Sequence, residues 1–259
     1  MSFVTVQGRR IEYVRLPSAH PRKGSPCLVF LHEGLGSVAM WRDFPQQAAD
    51  ATGCEAVVYS RYGYGKSDPI TASHDVYYMH DEGLKALPEL LDNLGISKPI
   101  LFGHSDGASI SLIHAGGAGR DLAGVIVMAP HLMVEAVCIS SIEAAKVAYD
   151  NTETRLRERL AKFHANVDSA FRGWNDIWLH PEFLRWNIEE YIPRIQAPIL
   201  AIQGEDDEYG TMEQIDRIAR LAPDVELAKL ADCRHSPHKD QPQAVIDAVK
   251  EFISRLRGD

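Results

Sequence analysis

Long apolar runs, paired cysteines and an excess of positive charge are all missing from this 259-residue chain. No hydrophobic stretch approaches the roughly eighteen residues that a membrane span requires, and the first ten residues, MSFVTVQGRR, lack the apolar centre of a secretory signal. The expectation is a cytoplasmic protein without a membrane partner. Cys27, Cys54, Cys138 and Cys233 are scattered without CxxC spacing, which argues against a disulfide framework or a structural zinc site and for free, mostly buried thiols. Basic residues number 27 against 36 acidic ones, and the net charge of −9 repels phosphate backbones and anionic surfaces. Nucleic acid is therefore not an expected partner. No internal repeat or low-complexity linker interrupts the chain.

What is present is an ordinary globular mixture, 45% hydrophobic and 24% charged, which excludes disordered, collagen-like and coiled-coil classes. A chain of this length buries about three quarters of its unfolded surface, enough for a sizeable core. Short apolar runs at 27–31 (CLVFL), 56–59 (AVVY), 100–102 (ILF) and 125–128 (VIVM) read as buried parallel strands. Between them lie helix-length segments at 44–51, 75–94 and 108–115, expected to stop at Gly53, Gly95 and the glycines 116 and 117.

The rhythm changes after Pro130. Helical periods without a strand fill 131–197, until 198–202 (PILAI) resumes the pattern. In this insertion Leu156, Leu160 and Phe163 share one helical face, and Phe171, Trp174 and Trp178 form another stripe ended near His180 by Pro181. A last strand at 226–230 and a final helix from Pro242, with apolar Val245, Val249, Phe252 and Leu256, close the chain. Strands alternating with helices imply a mostly parallel sheet covered on both faces, whose functional groups lie at the carboxyl ends of strands.

Three such ends carry chemistry. Gly103-His104-Ser105-Asp106-Gly107 is a G-x-S-x-G motif between a strand and a helix, the context in which a serine is held on a sharp turn with its hydroxyl exposed. Serine is a poor nucleophile at neutral pH and needs a histidine base with a carboxylate to orient it. The strand at 198–202 runs into Glu205, Asp206 and Asp207, and the one ending near Leu230 runs into Asp232 and His235. The order is serine, acid, histidine.

With LVFLHEGLGS and Trp41, SRYGYGKSD at 60–68, GHSDG, LAIQGEDD at 200–207 and RHSPHKDQP at 234–242, the sequence resembles the α/β-hydrolase superfamily over nearly its whole length. The resemblance implies Ser105 as nucleophile, Asp207 as acid and His235 as base. It also implies a core of residues 1–130 and 198–259 beneath a helical cap of 131–197. The oxyanion hole would use the backbone N–H groups of Asp106 and Gly34, with Leu35 as an alternative donor, because His32-Glu33 stands where the family usually has His-Gly. The implied activity is that of a small cytoplasmic serine hydrolase of esters or lactones. Thioesters of coenzyme A and activated carbon–carbon bonds are alternatives open to the same triad.

Other residues admit a plainer reading beside the functional one. Asp206 and Glu205 are expected at the solvent, and His238 packs near His235. Glu33 sits beside an anion-stabilising corner and is expected to be turned away or paired. The Asp106 side chain either starts a helix or meets a polar group of the substrate. Trp174, Trp178, Trp186 and Tyr191 are candidates for an aromatic pocket or for the insertion's own core, and His131 is a candidate pocket residue at a strand end. Arg61 and Lys66 are expected to shape a loop facing solvent. Gly34-Leu35-Gly36-Ser37-Val38-Ala39 also matches a dinucleotide fingerprint, but the next strand ends at Ser60 and Arg61 and not at an acid. No cofactor and no metal is therefore expected. A non-catalytic ligand receptor is the remaining alternative. The partner implied is a small-molecule substrate, for a monomer or a homo-oligomer alike.

Overall fold

The strand residues Leu28–Leu31 (LVFL) have no polar side chain to turn toward water, and Ala56–Tyr59 (AVVY) has only the phenol of Tyr59, so such strands belong in the middle of a covered sheet. The computed structural model, which describes residues 1–258, places them there. Eight strands, β1 (Ser2–Val6), β2 (Arg9–Leu16), β3 (Leu28–Leu31), β4 (Ala56–Tyr59), β5 (Ile100–His104), β6 (Gly124–Met128), β7 (Ile199–Gly204) and β8 (Val225–Leu230), form one sheet in the order β1-β2-β4-β3-β5-β6-β7-β8. From β4 to β8 all neighbours are parallel, with Phe30 opposite Phe102 and Met128 opposite Ile202. The antiparallel pair β1 and β2 was not foreseen. It is joined by Gln7 and Gly8, both at positive φ (50° and 72°), the backbone that a two-residue hairpin turn demands.

Alternation along the strands gives each face its own core. Phe30, Phe102 and Met128 face α1 (Phe44–Thr52) and α10 (Pro242–Arg257), where Val245, Val249 and Phe252 form the expected stripe. Leu31, Leu101 and Val127 face the opposite layer, to which α2 (Tyr78–Asp81), α3 (Leu87–Asn93) and α4 (Asp106–Gly117) contribute Met79, Leu90 and Ile113. The single helix expected over 75–94 is interrupted by a π-helical turn at Glu82–Ala86. Pro88 has no N–H to return to the carbonyl of Leu84, so the ordinary α-helical ladder opens at that point.

Between β6 and β7 lie α5 (Ala136–Asp150), α6 (Leu156–Leu160) and α7 (Val167–Trp178), with short 3-10 turns and a lone bridge between Met133 and Asn187. α7 begins where Asn166 accepts a hydrogen bond from the Ser169 N–H. The remaining helices are α8 (Glu213–Leu221) and the short α9 (Pro237–Asp240), which precedes α10. One expectation is corrected here: Gly116 and Gly117 do not stop α4, which runs through both. They admit Tyr191, since a Cβ on Gly116 would lie 2.2 Å from the Tyr191 carbonyl oxygen.

Candidate active site

Between β5 and α4 the chain turns within one residue. Ser105 takes a positive φ of 52°, strained for a residue with a side chain, and its N–H is tied to the Met128 carbonyl at 2.9 Å. Glycine on both flanks makes the turn sterically possible. A Cβ on Gly103 would meet the Gly107 carbonyl oxygen at 2.3 Å, and one on Gly107 would meet the Leu31 carbonyl oxygen at 2.1 Å. The hydroxyl of Ser105 is thereby lifted over the ends of the central strands.

His235 and Asp207 arrive from the loops after β8 and β7. His235 Nε2 lies 3.0 Å from Ser105 Oγ, and His235 Nδ1 lies 2.8 Å from Asp207 Oδ1. An ionised carboxylate accepts from Nδ1–H, which leaves Nε2 free to accept the serine proton. Burial works to raise the Asp207 pKa, but the hydrogen bond from His235 and the N–H of Tyr209 outweigh it, and the carboxyl sits below its usual range. Gln203 Nε2 holds its other oxygen at 3.2 Å. Asp206, by contrast, is exposed. His238 stays out of this relay and packs on Trp41 and His104, with ring centroids 4.8 and 4.9 Å away.

A cavity of about 190 Å³ opens beside Ser105. Its walls include Gly34 and Asp106, the aromatic rings of Trp174, Trp178 and Tyr209, and His131, Cys138 and Ile142. Burial pushes the Cys138 thiol up, so it remains protonated and inert beside the serine. His131 donates from Nε2 to the Tyr209 carbonyl at 3.1 Å and is kept neutral chiefly by burial. Three carboxylates, those of Glu33, Asp106 and Glu208, border this space, and among the described residues no lysine or arginine does.

Several expectations change at this point. Trp186 does not line the cavity; it is stacked on Phe183 at 5.3 Å, behind Trp178. Tyr191 is also elsewhere, against the glycines of α4. Asp106 begins α4, as expected, but its carboxylate does not stand free: 1% exposed, it accepts from Tyr78 Oη at 2.8 Å and from Trp178 Nε1 at 3.3 Å. Arg61 does not face solvent. It is 1% exposed, 3.5 Å from Asp106 Oδ2. Glu33, as expected, is paired: Lys239 Nζ lies 3.9 Å from its carboxylate, with His104 Nδ1 at 3.7 Å. Burial opposes its charge, yet the neighbouring His104 ring and the Lys239 ammonium hold the carboxyl well below its ordinary range.

Sequence reasoning missed Cys138, Ile142, Glu208 and Tyr209. Only the last two had a visible signal, as neighbours of Asp207; Glu208 Oε2 accepts the His235 N–H at 3.1 Å and so holds the loop that carries the imidazole. Among the described residues no group of histidine, cysteine, aspartate and glutamate side chains forms a metal site. Among them, too, no helix is long and apolar enough to cross a membrane.

Comparisons agree with this architecture. A model of the alpha/beta hydrolase family matches residues 28–248. The sn-1-specific diacylglycerol lipase ABHD11 of Danio rerio is 23% identical over 262 residues, covering 88% of this chain and 78% of that protein. The 2-hydroxy-6-oxo-6-phenylhexa-2,4-dienoate hydrolase of Burkholderia cepacia is 20% identical, covering 97% and 96%. The crystal structure of the enol-lactonase from Burkholderia xenovorans superposes with a TM-score of 0.75 at 16% identity over 98% of this chain and all of that one, a likeness of fold.

Proposed function

The chain belongs to the alpha/beta hydrolase family, and we propose that it hydrolyses a carboxylic ester or lactone of a small organic acid through an acyl-enzyme on Ser105. The observation that carries this reading is the unbroken relay from Asp207 through His235 to Ser105, at 2.8 and 3.0 Å, opening onto a small cavity.

In the proposed reaction His235 Nε2 removes the Ser105 proton as Oγ attacks the substrate carbonyl carbon. The carbonyl π electrons move to oxygen, and the resulting oxyanion is held by the backbone N–H groups of Asp106 and Gly34. Each such donor is worth about 3 kcal/mol of barrier. Collapse expels the alkoxide, which takes the proton from His235 and leaves the acyl group on Oγ. Water then gives a proton to the same imidazole, attacks the acyl carbon and releases the acid, while Oγ recovers its proton. Asp207 keeps its charge throughout and stabilises the imidazolium at each stage.

The cavity favours a short acyl group. Its volume of about 190 Å³ is below the usual range for drug-sized ligands, and its bordering carboxylates are each paired with a cation, Glu33 with Lys239, Asp106 with Arg61 and Glu208 with Arg234. The residues 131–197, which we take as a cap, supply Trp174, Trp178, Cys138 and Ile142 to the wall and so set acyl specificity. A panel of p-nitrophenyl esters, lactones and coenzyme A thioesters of increasing acyl length, with Ser105→Ala as the control, tests the reading. Turnover of short esters, lost in Ser105→Ala, is expected; equal activity of Ser105→Ala would sink it. Selective cleavage of a carbon–carbon bond would replace the ester reading while keeping the triad.

A further inference from the structure

Arg61 takes no part in the steps above, yet it is a fully buried cation beside them. We propose that Arg61 is a positioning residue of the oxyanion hole, fixing the Glu33–Gly34 peptide so that the Gly34 N–H faces the substrate carbonyl oxygen. This rests on the reading of Ser105 as nucleophile.

Arg61 reaches the peptide by two routes. Its guanidinium donates to the Glu33 carbonyl oxygen at 2.9 Å. Its own backbone N–H donates to His32 Nε2 at 2.9 Å, which makes that nitrogen the acceptor and puts the ring proton on Nδ1. His32 Nδ1–H then donates to the same Glu33 oxygen at 2.6 Å, and Gly36 N–H adds a third bond at 3.0 Å. One carbonyl oxygen is thus gripped by three donors, two of them set by Arg61.

The consequence follows from amide geometry. In a trans peptide the N–H points opposite to the C=O, so pinning the carbonyl of Glu33 toward Arg61 turns the Gly34 N–H the other way. Gly34 lines the cavity that also contains Ser105. Hydrogen bonds at the oxygen also polarise the amide, which strengthens its N–H as a donor. The guanidinium has a second contact, 3.5 Å to the carboxylate of Asp106, whose backbone N–H is the other proposed donor. A single cation therefore spans both halves of the hole.

The experiment uses the full-length protein and p-nitrophenyl acetate, with functional serines counted by fluorophosphonate labelling. The variants are Arg61→Lys and the double change Arg61→Met with Asp106→Asn, which removes the buried Arg61–Asp106 pair as a unit and so disturbs folding less than the single Arg61→Met. Expected is a fall in kcat per labelled serine of about 10- to 100-fold with KM changed less than about twofold, the size of a weakened oxyanion donor. Affinity for a trifluoromethyl ketone, which forms a tetrahedral adduct with the serine, falls in parallel. Wild-type kcat per labelled serine in the folded double variant, whatever its melting temperature, would overturn the proposal. Retained turnover in Ser105→Ala would instead overturn the underlying reading of the site, so the two failures are distinguishable.

Discussion

His164 Nε2 donates to the Leu35 carbonyl at 2.9 Å, while its Nδ1 accepts the Gly65 N–H at 3.1 Å. One buried imidazole from the segment between α6 and α7 thus clamps two loops of the sheet domain, one of them the turn that carries Gly34. Ala165 N–H adds a bond to the Gly65 carbonyl at 2.8 Å. Replacing His164 with phenylalanine keeps the bulk and removes both bonds, leaving the part-buried Leu35 carbonyl and the buried Gly65 N–H without these partners. A loss of about 2 to 4 kcal/mol in stability is expected, with kcat reduced because the turn is loosened. Urea denaturation and steady-state kinetics check both; unchanged stability would remove the clamp.

The relay itself makes a two-part prediction. By analogy with serine proteases, Ser105→Ala costs about 10⁶ in turnover and Asp207→Asn about 10⁴, because the amide stabilises the wrong imidazole tautomer. Asp206→Asn leaves the rate near that of the parent, since Asp206 is exposed and only its N–H is used, toward the Cys233 carbonyl at 3.0 Å. A severe loss at 206 with little at 207 would reverse the assignment of the acid.

The parts of this site legible in the sequence are those fixed by local chain geometry. Ser105, Asp207 and His235 each follow an apolar strand within a few residues, so strand recognition alone placed them at one edge of the sheet. Gly34 and Asp106 entered as oxyanion donors only through the family resemblance. Arg61 was not legible, because its burial depends on Asp106, Tyr64 and the Glu33 carbonyl meeting it from other parts of the chain. The aromatic stripe of α7 correctly paired Trp174 with Trp178, but nothing in the periodicity of the segment revealed that Trp186 would fold back on Phe183. Gly116 and Gly117 looked like a helix stop because the demand they meet, close passage of Tyr191, is tertiary.

Under the proposed reading, Trp174 bounds the acyl pocket. Its indole edge lies so near Gly34 that a Cβ there would be 2.2 Å from Trp174 Cδ1, which leaves no free space between oxyanion corner and wall. Trp174→Ala opens that wall. Preference is expected to move toward longer acyl chains, with kcat/KM rising about fourfold for each further buried methylene, the equivalent of about 0.8 kcal/mol. Gly34→Ala should act oppositely, displacing the indole and depressing even acetate esters. An unchanged chain-length profile in Trp174→Ala would show that the indole does not bound the acyl site.

Acid stability reports on buried histidines outside the relay. His114 is fully buried in α4, donates from Nδ1 to the Gly83 carbonyl at 2.7 Å, and is pushed down to about 4, chiefly by burial. The unfolded chain takes up this proton near pH 6.5 and the folded chain resists until about pH 4, so between those values the unfolded state binds more protons. Stability is therefore fully present above pH 6.5 and declines as the pH falls through that window, by about 1.4 kcal/mol per unit for one such group. His32 and His131, also neutralised by burial, add to the same slope. In His114→Asn the side-chain amide can still donate to the Gly83 carbonyl but does not titrate, so its melting temperature should fall less steeply from pH 7 to pH 5. Parallel curves for the parent and His114→Asn would mean that the buried imidazole is already protonated in the folded chain.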